Sequence, residues 1–179
     1  MALYPFVKYF SYNAFMKVLY IGGQKSGKSS FAEKKALSIS KNQKPIYLAT
    51  YQNSFNDNEM QDRIDKHKKV REKKFKTIEA TYDLHKILKD DKTYLIDCLS
   101  MWIFNHIEIE QEKIEKKIKK ILNSKANIVF VLNDVGQGVI PFDQESRRFV
   151  DLSGIIGQIV AKYCDEVIRV DYGIESKIK

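Results

Sequence analysis

Gly22-Gly23-Gln24-Lys25-Ser26-Gly27-Lys28-Ser29 fits the pattern G-x4-G-K-S, a spacing with a specific chemical use. Its glycines let backbone N–H groups close on phosphate oxygens, Lys28 reaches the terminal phosphates, and the Ser29 hydroxyl suits Mg2+. Such a loop needs a carboxylate at the end of a neighbouring strand to balance the metal. Asp97, after Tyr94-Leu95-Ile96, is the preferred candidate, and Asp134, after the apolar run Ile128–Leu132, competes with it. Arg63, His67 and Arg71 are four residues apart, which on a helix is one face. The cations Lys66, Lys68 and Lys69 beside His67 disfavour its imidazolium and favour a neutral, nucleophilic ring. Without other information, a lone histidine in a basic helix is more often simply solvated. His85 and His106 read as structural. Asn133 to Pro141 (NDVGQGVIP) is a glycine-punctuated loop after a strand, and it reads equally as a ligand-side loop or an ordinary turn.

Positioning these groups takes alternating strands and helices. Strands are predicted at Val18–Ile21, Pro45–Ala49, Tyr94–Ile96, Ile128–Leu132 and Glu166–Val170. Helices are predicted at Lys28–Ser40, from Asn56 or Asp57 to Lys73, at Tyr82–Leu88, Ile107–Leu122 and Ser146–Tyr163. The alternation predicts a single α/β domain with a mainly parallel sheet and helices on both faces. Residues 16–179 form that domain. Residues 1–15, rich in aromatics and without a secretory signal's features, are either an upstream extension or a packing or membrane-surface arm.

Composition bounds the function. The 179 residues are 44% apolar and 30% charged, enough for one domain with a sizeable core. No apolar run reaches the ~18–20 residues of a membrane-spanning helix. Two cysteines, Cys98 and Cys164, point to a reduced, cytoplasmic setting. The net charge of +8 is concentrated in Lys66–Lys76, which carries seven Lys/Arg against Glu72. That patch suits a polyphosphate as well as a nucleic acid, and its single aromatic residue, Phe75, does not make the interleaved surface that base stacking requires.

Taken together the residues resemble the bifunctional adenosylcobinamide kinase / adenosylcobinamide-phosphate guanylyltransferases of cobalamin assembly. The resemblance runs from Lys17 to Lys179 through GGQKSGKS, Tyr47–Thr50 (YLAT), Asn58-Glu59-Met60, Arg63-Ile64 and His67. It continues through Thr77-Ile78-Glu79, Asp97-Cys98-Leu99-Ser100 with Trp102 and Asn105, and the NDVGQGVIP loop. It implies a RecA-like P-loop fold, ATP and GTP as substrates with Mg2+, and a homotrimer that binds no nucleic acid and does not insert stably in a membrane. It also implies phosphorylation of adenosylcobinamide, then transfer of GMP from GTP to adenosylcobinamide phosphate, with His67 of R-I-x-x-H as the guanylylated residue. The nucleotide contacts it implies are the P-loop, Ala49, Thr50, Tyr51, Lys68, Lys69, Val70, Arg71, Glu79 and Asp97, with Ser29 and Asp97 on the metal. Two positions depart from the family pattern: Asp134 where Glu is usual, and Gly157 where Asn tends to precede Gln158. Two other classes remain open at this point, a single-activity small-molecule kinase and a nucleic-acid-stimulated P-loop ATPase.

Overall fold

A computed structural model describes residues 15–41, 43–51 and 71–179. The described elements are β1 (Lys17–Gly22), α1 (Lys28–Ile39), β2 (Ile46–Ala49), β3 (Lys76–Glu79), β4 (Thr93–Asp97), α2 (Leu99–Phe104), α3 (Gln111–Leu122), β5 (Asn127–Asn133), α4 (Gln144–Tyr163), β6 (Glu166–Asp171) and β7 (Ile174–Lys177). The strands form one sheet in the order β3-β2-β4-β5-β1-β6-β7, parallel except for β7, which turns back on β6. Strand β5 therefore separates β1 from β4, the arrangement of a RecA-like P-loop sheet.

Alternation along the strands sorts side chains between two cores. Val18 and Tyr20 of β1 pack with Leu95, Val129, Val131, Ala32 and Ala36 on the α1 face. Leu19 packs with Ile96, Phe130, Leu132, Trp102, Ile118 and Ile156 on the face covered by α2, α3 and α4. The central strand β5 is buried on both sides from Ile128 to Leu132, which explains its unbroken apolar run. Helix α3 buries Ile114, Ile118, Ile121 and Leu122, one stripe at helical spacing, and leaves Lys113, Lys116, Lys119 and Lys120 in solvent.

Several elements differ from the sequence expectation. The helix expected at Tyr82–Leu88 is a single 3-10 turn, Leu84–Lys86. The helix expected from Ile107 begins at Gln111; Ile107 is buried but sits in the turn that follows α2. Helix α2 and strands β3 and β7 have no counterpart in the sequence reading. All three are short: β3 and β7 have four residues each and lie at the sheet's two edges, and β7 is exposed throughout. A local periodicity needs more residues than that to show. Helix α4 starts two residues earlier than expected because Asp143 caps it, its carboxylate accepting from the Ser146 N–H at 2.7 Å. The helix expected from Asn56 or Asp57 to Lys73 lies outside the described residues as far as Val70.

Candidate active site

The P-loop connects β1 to α1 through two left-handed residues, Lys25 (φ 58°) and Gly27 (φ 98°). Gly27 is also the N-cap of α1 and brings no side-chain oxygen, and the first turn of the helix holds no acid. The first amides of α1 are thus left without a side-chain cap, pointing at the place where an anion would sit. At Gly22 a Cβ would collide with the Val170 carbonyl and lie 2.7 Å from Ser26 Oγ, so only glycine lets β1 pass β6 here. The β6–β7 turn braces the loop from outside, Gly173 N–H donating to Ser26 O at 2.9 Å. Ser26 Oγ is buried and has no hydrogen-bond partner among the described residues, an orphaned polar atom inside the loop.

Lys28 is 6% exposed, and its ammonium donates to Gly23 O at 3.0 Å. Burial pushes its pKa down while the Asp97 carboxylate holds it up. Asp97 ends β4, and its Oδ1 accepts from the Ser29 hydroxyl at 3.5 Å. Burial raises the carboxyl above the usual range, against the pull of the Tyr47 hydrogen bond, Arg71, Ser29 and Lys28. A hydroxyl and a carboxylate oxygen side by side are the hard donors Mg2+ takes, with its other positions left to phosphates and water. The donor set fits that ion.

The competing carboxylate, Asp134, is engaged elsewhere. Arg169 of β6 pairs with it at 3.0 Å and with Asp171 at 2.8 Å, and also donates to Gln137 at 3.3 Å. Asp134 N–H donates to Gly22 O at 3.0 Å, so the NDVG loop is fastened beside the P-loop.

Three of the expected nucleotide contacts fall level across adjacent strands: Ala49 pairs in register with Glu79 on one side and with Asp97 on the other. They mark the carboxyl edge of the parallel sheet, where ligands of such folds bind. Thr50 is fully buried, and its hydroxyl donates to Cys98 O at 2.7 Å and accepts from Cys98 N–H at 3.1 Å. Asn105 ties Thr50 O (2.8 Å) to Thr81 O (3.1 Å), and the Trp102 indole donates to Tyr82 O at 2.8 Å. These bonds hold the ends of β2 and β4 together. Tyr51 follows on the same edge.

Arg71 lies with its guanidinium 3.9 Å from the centroid of the Tyr47 ring. Arg63, Lys66, His67, Lys68, Lys69 and Val70 lie outside the described residues. His106 is fully buried, its Nδ1 2.7 Å from Trp102 O, and burial lowers its pKa; it is part of the core, as its sequence setting suggests. Both cysteines are free thiols, pushed by burial to about 11 (Cys98) and about 12 (Cys164). Among the described residues no helix is long and apolar enough to cross a membrane.

Sequence reasoning did not single out Tyr47 or Arg169 as site residues. Tyr47 occupies an ordinary apolar strand position and Arg169 an ordinary edge-strand position. Nothing local marks which carboxylates they meet.

The family model described as cobinamide kinase / cobinamide phosphate guanyltransferase matches residues 18–178. The chain belongs to that family. It is accordingly an enzyme of cobalamin biosynthesis, a kinase and transferase built on a P-loop sheet. The bifunctional adenosylcobalamin biosynthesis protein CobP of Pseudomonas aeruginosa is 30% identical over 177 residues, covering 92% of this chain and 98% of the relative. The CobU proteins of Escherichia coli and Salmonella typhimurium, of the same description, are 31% and 32% identical, each covering 92% of this chain and 100% of the relative. Among solved structures, the flagellar accessory protein FlaH of Methanocaldococcus jannaschii aligns with a TM-score of 0.49 at 14% identity, covering 92% of this chain and 78% of that one. A solved ATPase domain aligns with a TM-score of 0.40 at 13% identity, covering 86% of this chain and 68% of that one. Of the two departures from the family pattern, Gly157 has a packing consequence: a Cβ there would lie 3.1 Å from Leu132 Cδ2, so glycine lets α4 sit close on β5.

Proposed function

We propose that this cobinamide kinase / guanyltransferase family member phosphorylates the aminopropanol hydroxyl of adenosylcobinamide from ATP or GTP. It then transfers GMP from GTP to the resulting phosphate, releasing pyrophosphate and forming adenosylcobinamide-GDP. The observation that carries the nucleotide part is the convergence of Lys28, Ser29 and Asp97 beneath the open amide end of α1. In this reading the amides after Gly27 bind the phosphate chain, and Lys28 exchanges its bond to Gly23 O for the terminal phosphates. Developing charge on the transferred group then meets a fixed cation in a site that needs no reorganisation. Ser29 and Asp97 would hold Mg2+, which supplies further neutralisation of the phosphates. Lys25, Ala49, Tyr51, Lys68, Lys69, Val70, Arg71 and Glu79 complete the nucleotide surface, with Thr50 fixing the strand end that carries it.

For guanylyl transfer, His67 attacks the α-phosphorus of GTP; a P–N bond forms, the bond to the pyrophosphate oxygen breaks, and pyrophosphate leaves. The phosphate of the cobinamide then displaces the histidine nitrogen. Support for this residue is the R-I-x-x-H motif in a run of cations that can neutralise the phosphate oxygens. Residues 16–179 form the catalytic domain, which works in the cytoplasm as a homotrimer on small-molecule substrates without nucleic acid.

The test uses GTP labelled at the α-phosphate. Label should remain on the denatured protein, be lost in acid and survive alkali, as a phosphoramidate does, and pyrophosphate should appear before any cobinamide phosphate is added. His67→Asn should lose the label and guanylyl transfer while keeping cobinamide phosphorylation. Undiminished labelling of His67→Asn removes this residue from the mechanism. A protein that never labels but phosphorylates cobinamide is a kinase alone.

A further inference from the structure

Tyr47 belongs to β2 and lies two residues before Ala49, the register partner of Asp97. Its phenol runs up the α1 face of the sheet, and the hydroxyl donates to Asp97 Oδ2 at 3.0 Å. The same hydroxyl lies 3.4 Å from the Asp97 carbonyl oxygen. The ring is 5% exposed and held from two sides: its edge meets Phe75 with centroids 6.2 Å apart at 78°, and its face carries the Arg71 guanidinium. A phenol held this way cannot swing away from the carboxylate without losing both contacts.

A carboxylate at a strand end can rotate about its Cβ–Cγ bond. With Oδ2 bound by Tyr47, the other oxygen, Oδ1, is the one that faces the Ser29 hydroxyl at 3.5 Å. We infer that Tyr47 is a positioning residue for metal-nucleotide binding: its hydroxyl fixes the rotation of Asp97 so that Oδ1 and Ser29 Oγ face one cation together. This inference rests on the proposed metal role of Asp97 and Ser29.

The experiment measures how much Mg2+ strengthens binding of a non-hydrolysable ATP analogue, by calorimetry on the full chain, for the wild type, Tyr47→Phe, Asp97→Asn and the double variant. Tyr47→Phe keeps the ring, and with it the Arg71 and Phe75 contacts, and removes only the donor. Its Mg2+ half-saturation should rise about tenfold, the loss expected for one hydrogen bond to a charged group. Metal-free affinity for the analogue should stay unchanged, and turnover at saturating Mg2+ should largely recover. Half-saturation does not depend on the fraction of protein that is folded, so partial misfolding does not imitate the effect. If Tyr47 acts through Asp97, the double variant is no worse than Asp97→Asn alone. Normal Mg2+ half-saturation in Tyr47→Phe beside a defective Asp97→Asn overturns the inference and leaves the site reading intact. Additive losses also overturn it, since the tyrosine would then act independently of Asp97. Normal Mg2+ enhancement in Asp97→Asn refutes the metal reading itself, and the role of Tyr47 with it.

Discussion

Replacing Lys28 with Met separates the stability of the protein from its function. The Lys28 ammonium is nearly buried and donates to Gly23 O at 3.0 Å; burial lowers its pKa while the Asp97 carboxylate raises it. Met fills a similar volume. It loses a charge-assisted hydrogen bond with a net worth of about 1.5–3 kcal/mol and removes the cost of burying a charge, two effects of opposite sign that largely offset each other. The melting temperature without nucleotide should therefore stay within about 2–4 °C of wild type, the shift that ~1 kcal/mol produces in a domain of this size. Nucleotide changes the comparison. At a concentration about 100 times its Kd, Mg-ATP stabilises the wild type by about 2.7 kcal/mol, and a variant that binds 100-fold more weakly gains only about 0.4 kcal/mol. That difference appears as ~5–9 °C of lost thermal shift. Turnover of adenosylcobinamide should fall at least ~100- to 1000-fold, the usual loss for one preorganised charge-stabilising contact. Scanning calorimetry with and without Mg-ATP, together with a coupled kinase assay, reads all three quantities. A folded Lys28→Met protein with an undiminished nucleotide-induced shift and normal turnover refutes the P-loop reasoning.

The two carboxylates should behave oppositely. Asp97→Asn should cost about 100-fold or more in turnover and recover partly at high Mg2+, whereas Asp134→Asn, which mainly breaks the ion pair with Arg169, should remain nearly normal; the reverse result exchanges their roles. Glu166 lies between Lys35 (2.5 Å) and Lys177 (3.1 Å); burial alone would raise its pKa, but these lysines outweigh it and hold it below 4.5. Its folded value being the lower one, its contribution is present above pH 4.5 and fades as pH falls through the folded value. Glu166→Gln should therefore melt ~2–4 °C below wild type at neutral pH, with the gap closing in acid; a gap independent of pH refutes the assignment. Beginning the chain at Met16 should preserve the melt and the nucleotide chemistry, because the Met16 bonds to Asn127 Oδ1 (2.8 Å) and Ile128 N–H (2.9 Å) survive; insoluble protein would make residues 1–15 part of the core.

The sequence by itself determined whatever depends on contiguous residues. The GGQKSGKS loop carries its chemistry in its own backbone, so eight consecutive letters specify a phosphate cradle between a strand and a helix. Strands β1 and β5 and helices α3 and α4 were legible because each is long enough for burial on one or both faces to leave a periodic trace, and α1 because it follows the phosphate loop directly. Tertiary structure alone decided which strand end faces the loop. Asp97 and Asp134 follow similar apolar runs, and the order β2-β4-β5-β1-β6 brings one to Ser29 and the other to Arg169. The same holds for Tyr47, whose hydroxyl reaches a carboxylate 50 positions along the chain. Its partner is set by the lateral pairing of β2 with β4, and pairing between strands distant in sequence leaves no mark on either strand's own residues. Strands β3 and β7 escaped for a related reason: an edge strand of four residues is held by the sheet beside it rather than by any pattern of its own.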